Sequence, residues 1–106
     1  MNKKNALIMK ELKEKLQRKF DVVTKLILFG SQASGQALEF SDYDILVIVR
    51  HPISWRQRRE ISDEIYSIDL EYNILTDVKI ISEPELKTLR GKQPFIQNAL
   101  QEGIAA

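Results

Sequence analysis

Two aspartates separated by a single residue, Asp42-Tyr43-Asp44, stand directly before the apolar run Ile45-Leu46-Val47-Ile48-Val49. Alternate residues of an extended strand project to the same face, so both carboxylates would leave the start of that strand together. At roughly 4–5 Å apart they repel by a few kcal/mol at an effective dielectric near 20. A divalent cation is the usual offset, and Mg²⁺ suits carboxylates combined with substrate phosphates. The competing reading makes them turn residues, a common use of aspartate. Upstream, the run Leu26-Ile27-Leu28-Phe29 closes on Gly30-Ser31. Glycine at that point lets a ligand approach the backbone, and exposed N–H groups with the Ser31 hydroxyl form a natural phosphate cradle. A strand–Gly–Ser junction alone is a common turn. A cradle on one strand end facing a carboxylate pair on the next is the geometry of a metal–nucleotide site. Such a site wants a third carboxylate, and Asp77 lies in the following strand-like run, Leu75 to Ile81. It reaches the same ions if its strand lies beside that of Asp44. The bland alternative for Asp77 is a strand-edge charge paired with Lys79.

Composition narrows what else this chemistry could be. The chain has 106 residues, 43% hydrophobic and 29% charged, which is ordinary for one globular domain, expected here over residues 1–106. Sixteen Lys and Arg against fifteen Asp and Glu give a formal charge of +1, against a polyanion-binding surface as the main function. Nucleic acid is therefore an unexpected partner. Cysteine is absent and His51 is the lone histidine, so thiolate sites, cysteine nucleophiles and histidine-rich metal centres are excluded. Any metal must be oxygen-liking. No apolar run approaches the roughly 20 residues of a membrane span, and no signal peptide is evident, which sets a cytoplasmic expectation.

The elements that must position these residues are legible in the periodicity. Ile8, Leu12, Leu16 and Phe20 recur every fourth residue and predict a leading helix. Val22 to Phe29 reads as a strand, and Gln32 to Ala37 as one or two helical turns disturbed by Gly35. Ser41 leads into the strand of Asp42 and Asp44, whose β-branched run suits a central position covered on both faces. Ser54 to Gln57 has capping-box spacing before the apolar stripe Ile61, Ile65, Ile68, Tyr72. Asn73 to Ile81 is a further strand, Ser82 to Glu85 a second capping box opening a short helix stopped by Gly91. Pro94 starts a last helix with Phe95, Ile96 and Leu100 facing inward and Gly103 after its end. The class is α/β, a small mixed sheet of three or four strands with helices packed on it.

Leu28-Phe29-Gly30-Ser31, a ten-residue gap, then Asp42-Tyr43-Asp44 and an apolar strand resembles the signature of the DNA polymerase β-like nucleotidyltransferase superfamily. In so short a chain it resembles the minimal nucleotidyltransferases. The resemblance extends to the leading helix, the Asp77 strand and the closing helix. It implies that Gly30 and Ser31 contact nucleotide phosphates, and that Asp42, Asp44 and Asp77 are catalytic and bind two Mg²⁺ ions. It implies transfer of a nucleoside monophosphate, most simply AMP from ATP, to an acceptor hydroxyl with release of pyrophosphate. Asp77 would help deprotonate the acceptor. Members of this size commonly pair with HEPN-domain proteins as toxin–antitoxin modules, which makes such a protein the implied partner and acceptor.

One departure stands out, because many minimal members carry Arg where this chain has Ser34. Arg50, Lys79 or one of Arg56, Arg58 and Arg59 could substitute, although the arginine cluster reads first as a solvated helix face. Trp55 reads as packing, His51 as a surface residue, and Tyr43 as core or rim, pointing away from its flanking aspartates. The lysines of the first helix read as a solvated face. Two rival functions remain: a binding module that has lost transfer, and a nucleotide-binding subunit acting on a small molecule.

Overall fold

Leading with the longest apolar stripe, Ile8, Leu12 and Leu16 are fully buried along helix α1 (Lys3–Lys19), and Phe20 closes the stripe at its C-cap. Asn2 caps the helix, its Oδ1 accepting from the Asn5 N–H at 2.7 Å. The computed structural model describes residues 2–35 and 42–106. The remaining elements are β1 (Val23–Phe29), α2 (Ser31–Ser34), β2 (Tyr43–Val49), α3 (Trp55–Tyr72), β3 (Thr76–Ser82), α4 (Pro94–Glu102) and β4 (Ile104–Ala105). Two short 3₁₀ turns, Pro84–Lys87 and Arg90–Lys92, bridge β3 and α4. The expected residues Gln36, Ala37 and Ser41 lie outside the described residues.

The four strands form one mixed sheet in the order β3-β2-β1-β4. β1 runs antiparallel to β2 and to β4, whereas β2 and β3 are parallel, joined by the α3 crossover. The two central strands are buried on both faces, as a continuous β-branched run requires. Leu26, Leu28, Ile45 and Val47 pack with α1 and α3, while Ile27, Phe29, Leu46 and Ile48 pack with Ile96 and Ala99 of α4. Each fully buried Leu or Ile contributes roughly 1.5–3 kcal/mol. The α/β class is therefore as expected, with the fourth strand supplied by two residues after Gly103.

Several local expectations are corrected. β3 starts at Thr76 rather than Asn73, because α3 runs on to Tyr72 and Asn73 caps it in the left-handed conformation, φ 54°. Asparagine tolerates that conformation. The Ser82–Glu85 box forms reciprocally, with Ser82 Oγ donating to Glu85 Oε1 at 2.8 Å and Glu85 N–H donating to Ser82 Oγ at 3.4 Å. It opens a 3₁₀ turn instead of an α-helix. On α4 the inward residues are Ile96 and Ala99, with Phe95 half-buried and Leu100 44% exposed. The inward line continues to Gly103, where a Cβ would overlap Ile27 Cγ2 and the Ala99 carbonyl. Close approach of the helix end to β1 thus sets which face turns inward. Trp55 is 71% exposed rather than packed, because it lies off the Ile61, Ile65, Ile68 stripe at the first position of α3. Ser54 caps that helix as expected, accepting from the Gln57 N–H at 3.1 Å.

Candidate active site

The sheet brings Gly30, Asp44 and Asp77 to one end. Asp44 pairs in register with Phe29 on one side and with Asp77 on the other. Same-face alternation then sets the Asp44 and Asp77 side chains side by side, above the face that α4 covers further along. Asp42 is exposed and lies one residue before β2. Burial raises the Asp44 carboxyl above the usual carboxylate range, the charges of Asp77 and Asp42 raise it further, and Lys79 opposes them. The charges of Asp42 and Asp77 thus both reach Asp44. Lys79 does pair with Asp77, Nζ to Oδ1 at 3.2 Å, with both side chains about half exposed. The pairing expected of a strand-edge charge is therefore present, and the strand of Asp77 also lies beside that of Asp44.

Gly30 sits where only glycine fits. Its backbone, φ 73° and ψ −154°, belongs to a region essentially reserved for glycine, and a Cβ would overlap Asp44 Oδ2. Ser31 follows as the first residue of α2, whose turn is closed by Ser34 N–H donating to the Gly30 carbonyl at 3.1 Å. A Gly30→Ala substitution should cost about 1–3 kcal/mol of stability through backbone strain. It should also push Asp44 aside and, if the junction receives phosphates as the sequence leads one to expect, weaken nucleotide binding. Thermal unfolding with and without a nucleotide analogue measures both effects. An alanine variant of wild-type stability and affinity would show that the junction is an ordinary turn.

Sequence reasoning missed the residue that ties this end of the sheet together. Asn5 is buried on α1, accepts a 2.6 Å hydrogen bond from the Tyr43 hydroxyl and donates from Nδ2 to Gln32 Oε1 at 3.2 Å. Tyr43, between the aspartates, points to the opposite face as expected and links β2 to α1, whose Asn5 also reaches Gln32 in the turn after Gly30. An asparagine three residues before Ile8, on the apolar-spaced side of the helix, was the signal the sequence offered.

The candidate replacements for a cation near Ser34 are dispersed. Arg50 follows the far end of β2, roughly 20 Å along the strand from Asp44, and pairs with Asp21. Arg56 and Arg59 are exposed on α3, and Arg58 reaches the outer edge of β3. Lys79, through Asp77, is the one of these cations beside the carboxylates. The α1 lysines also do more than face solvent, since Lys15 donates to Ser67 Oγ at 2.8 Å and Lys19 pairs with Glu64 on α3.

Among the described residues no group of three His, Cys, Asp or Glu side chains is placed to hold a metal ion. Asp44 and Asp77, in register on neighbouring strands, nevertheless offer carboxylate oxygen only, and Lys79 offsets part of their charge. Those features fit Mg²⁺, which keeps water and substrate phosphates in its shell.

Comparison with known proteins gives the same fold. The family described as "Nucleotidyltransferase domain" matches residues 9–105. A "putative protein adenylyltransferase" of Methanocaldococcus jannaschii is 34% identical over 92 residues, 84% of this chain and 62% of that relative. The chain thus spans less than two thirds of that relative's length. Two solved structures share the fold. One, a toxin–antitoxin with AMP-PNP, superposes with a TM-score of 0.62 at 21% identity, over 92% of this chain and 70% of that one. The other, a tri-AMPylated Shewanella oneidensis HEPN toxin in complex with an MNT antitoxin, gives 0.58 at 17% identity, over 94% and 69%. Among the described residues no helix is long and apolar enough to cross a membrane.

Proposed function

This chain belongs to the nucleotidyltransferase domain family, and on that premise we propose that it transfers AMP from ATP, with Mg²⁺, to a hydroxyl on a partner protein. The observation that carries the reading is the crowding of Asp44 by Asp77 and Asp42 beside a glycine whose bare Cα leaves room for that carboxylate. Repelling carboxylates at the end of a sheet are costly unless a cation joins them. In this reading Asp42, Asp44 and Asp77 hold two Mg²⁺ ions, and Gly30 and Ser31 receive the phosphates. The ions supply neutralisation of phosphate charge and acidification of the attacking hydroxyl. The acceptor oxygen attacks the α-phosphorus, a P–O bond forms to it, and the bond to pyrophosphate breaks. Asp77 takes the acceptor proton, and Lys79, already against that carboxylate, holds its orientation. The partner is proposed as a HEPN-type protein, supported by the likeness in fold to the MNT antitoxin seen in complex with a HEPN toxin.

A second reading, a module that binds nucleotide without transferring it, draws on one observation: α2, Ser31–Ser34, carries no basic residue. Both readings require nucleotide binding, so that is measured first. A nonhydrolysable ATP analogue with Mg²⁺ at 100 times its Kd should stabilise by about 2.7 kcal/mol, a melting shift on the order of 10 °C. Metal alone should shift it less. No shift and no binding heat would defeat both readings. Labelled-nucleotide transfer to the partner then separates them.

A further inference from the structure

Two arginines from separate elements meet at a single backbone carbonyl on the outer edge of β3. Arg58 of α3 and Arg90 of the second 3₁₀ turn each donate to the Ile80 carbonyl at 3.3 Å, through Nη1 and Nη2. Each guanidinium has five N–H donors, so this anchoring fixes both groups while leaving most of their donors for other acceptors. Arg90 Nε also forms an ion pair with Glu85 Oε2, at 3.2 Å. The two arginines border a cavity of about 180 Å³ whose lining also includes Lys79, Phe95 and Ser62 and, among the described residues, no carboxylate. Lys79 stands over the Phe95 ring, 5.8 Å from its centre, and pairs with Asp77. Three cations therefore line the cavity, and two of them are paired with carboxylates, Arg90 with Glu85 and Lys79 with Asp77. Three cations against two carboxylates leave the cavity with an excess of positive charge.

We propose that this cavity is the docking site for an acidic side chain of the acceptor polypeptide, placed beside the hydroxyl that receives the nucleotide. The inference rests on the transferase reading for its account of why the acceptor passes here. Asp77, the proposed proton acceptor, and Ile80, where the arginines meet, are three residues apart on one strand, roughly 10 Å. An extended acceptor segment covers that span in about three residues, so its acidic residue stands about three positions from its hydroxyl-bearing residue. Paired guanidinium groups suit a carboxylate through parallel N–H···O bonds. Recognition by charge also fits the state of the edge. Besides the capped Ile80 carbonyl, the Ser82 N–H is taken by Glu85 Oε1 at 3.2 Å, and Asp69 accepts from Thr76 through side chain and backbone. An edge so occupied disfavours docking by strand addition.

The test uses the full chain, isotopically labelled, and a blocked peptide carrying tyrosine with glutamate three positions away, without nucleotide or metal. Amide shifts should concentrate at Val78 to Ile81 and Arg90. The same peptide with glutamine for glutamate should bind at least tenfold more weakly, as should the Arg58→Gln/Arg90→Gln protein towards the original peptide. That variant should keep the wild-type melting shift with Mg²⁺ and ATP analogue, and raise the KM for acceptor with kcat little changed. Lysine at both positions should restore part of the affinity, which separates charge from loss of the anchoring bonds. Equal binding of the two peptides, or shifts located elsewhere, overturns the proposal. Shifts with inorganic phosphate but not with the peptide also overturn it, leaving a free-anion site. Failure of nucleotide binding would instead strike the transferase reading, since the peptide arm contains neither nucleotide nor metal.

Discussion

Replacing Asp44 with Asn should abolish nucleotidyl transfer while raising the melting temperature of the metal-free protein. The two effects have one origin. Asp44 is where burial and the charges of Asp77 and Asp42 act together, so its ionised form is disfavoured in the folded protein. A carboxyl whose folded pKa is raised keeps its proton after the unfolded chain has lost its own. Stability contributed by that proton is present at low pH and is lost as pH rises from the ordinary carboxylate range through the raised folded value. Unfolding measured with chelator from pH 3.5 to 7 should show the wild type losing stability across that window relative to Asp44→Asn, which lacks the group. Adding Mg²⁺ should favour the wild type and leave the variant little changed. Loss of a shared metal ligand removes several kcal/mol of transition-state stabilisation, on the order of a 10³-fold fall in transfer. An Asp44→Asn protein that transfers normally would remove this residue from the chemistry. One that is merely less stable, with metal binding intact, would support a turn role instead.

Asp77→Ala should separate binding from reaction. Asp44 remains against Gly30 in this variant with the charge of Asp42 still acting on it, so affinity for ATP analogue and Mg²⁺ should stay within a few-fold of wild type. Transfer to the partner should fall by about 10²–10⁴-fold, the usual scale for a positioned general base. Lys79 would lose its carboxylate, and Asp44 one of the charges that raise its carboxyl. The metal-free variant should therefore also show a weaker loss of stability with rising pH. Labelled-nucleotide transfer run beside a calorimetric titration decides the matter. Near-normal transfer would exclude Asp77 and turn attention to another carboxylate such as Glu71, exposed in the last turn of α3. Joint loss of binding and transfer would mean that Asp77 holds the shared metal core and that the division of roles is wrong.

The sequence by itself determined the elements and the juxtaposition that matters most. Fourfold spacing from Ile8 to Phe20 and the unbroken run from Ile45 to Val49 specify an amphipathic helix and a doubly covered strand, because burial follows periodicity. Gly30-Ser31 and Asp42-Tyr43-Asp44 sit at strand ends, and a hairpin-like antiparallel pairing of their strands suffices to bring Gly30 against Asp44. The tertiary structure decided what depends on contacts between distant segments. The parallel register of Asp44 with Asp77 comes from how α3 crosses the sheet, which no local pattern encodes. Asn5 becomes a brace for Tyr43 and Gln32 only when α1 lies on the sheet. Trp55 and Leu100 turn outward because the stripe of α3 and the close approach at Gly103 leave them no core to enter. Arg58 and Arg90, 32 positions apart, look like two solvated charges until they meet at the Ile80 carbonyl. A side chain's neighbours along the chain fix its local conformation, whereas its charge environment is set by groups that only folding brings within a few ångströms.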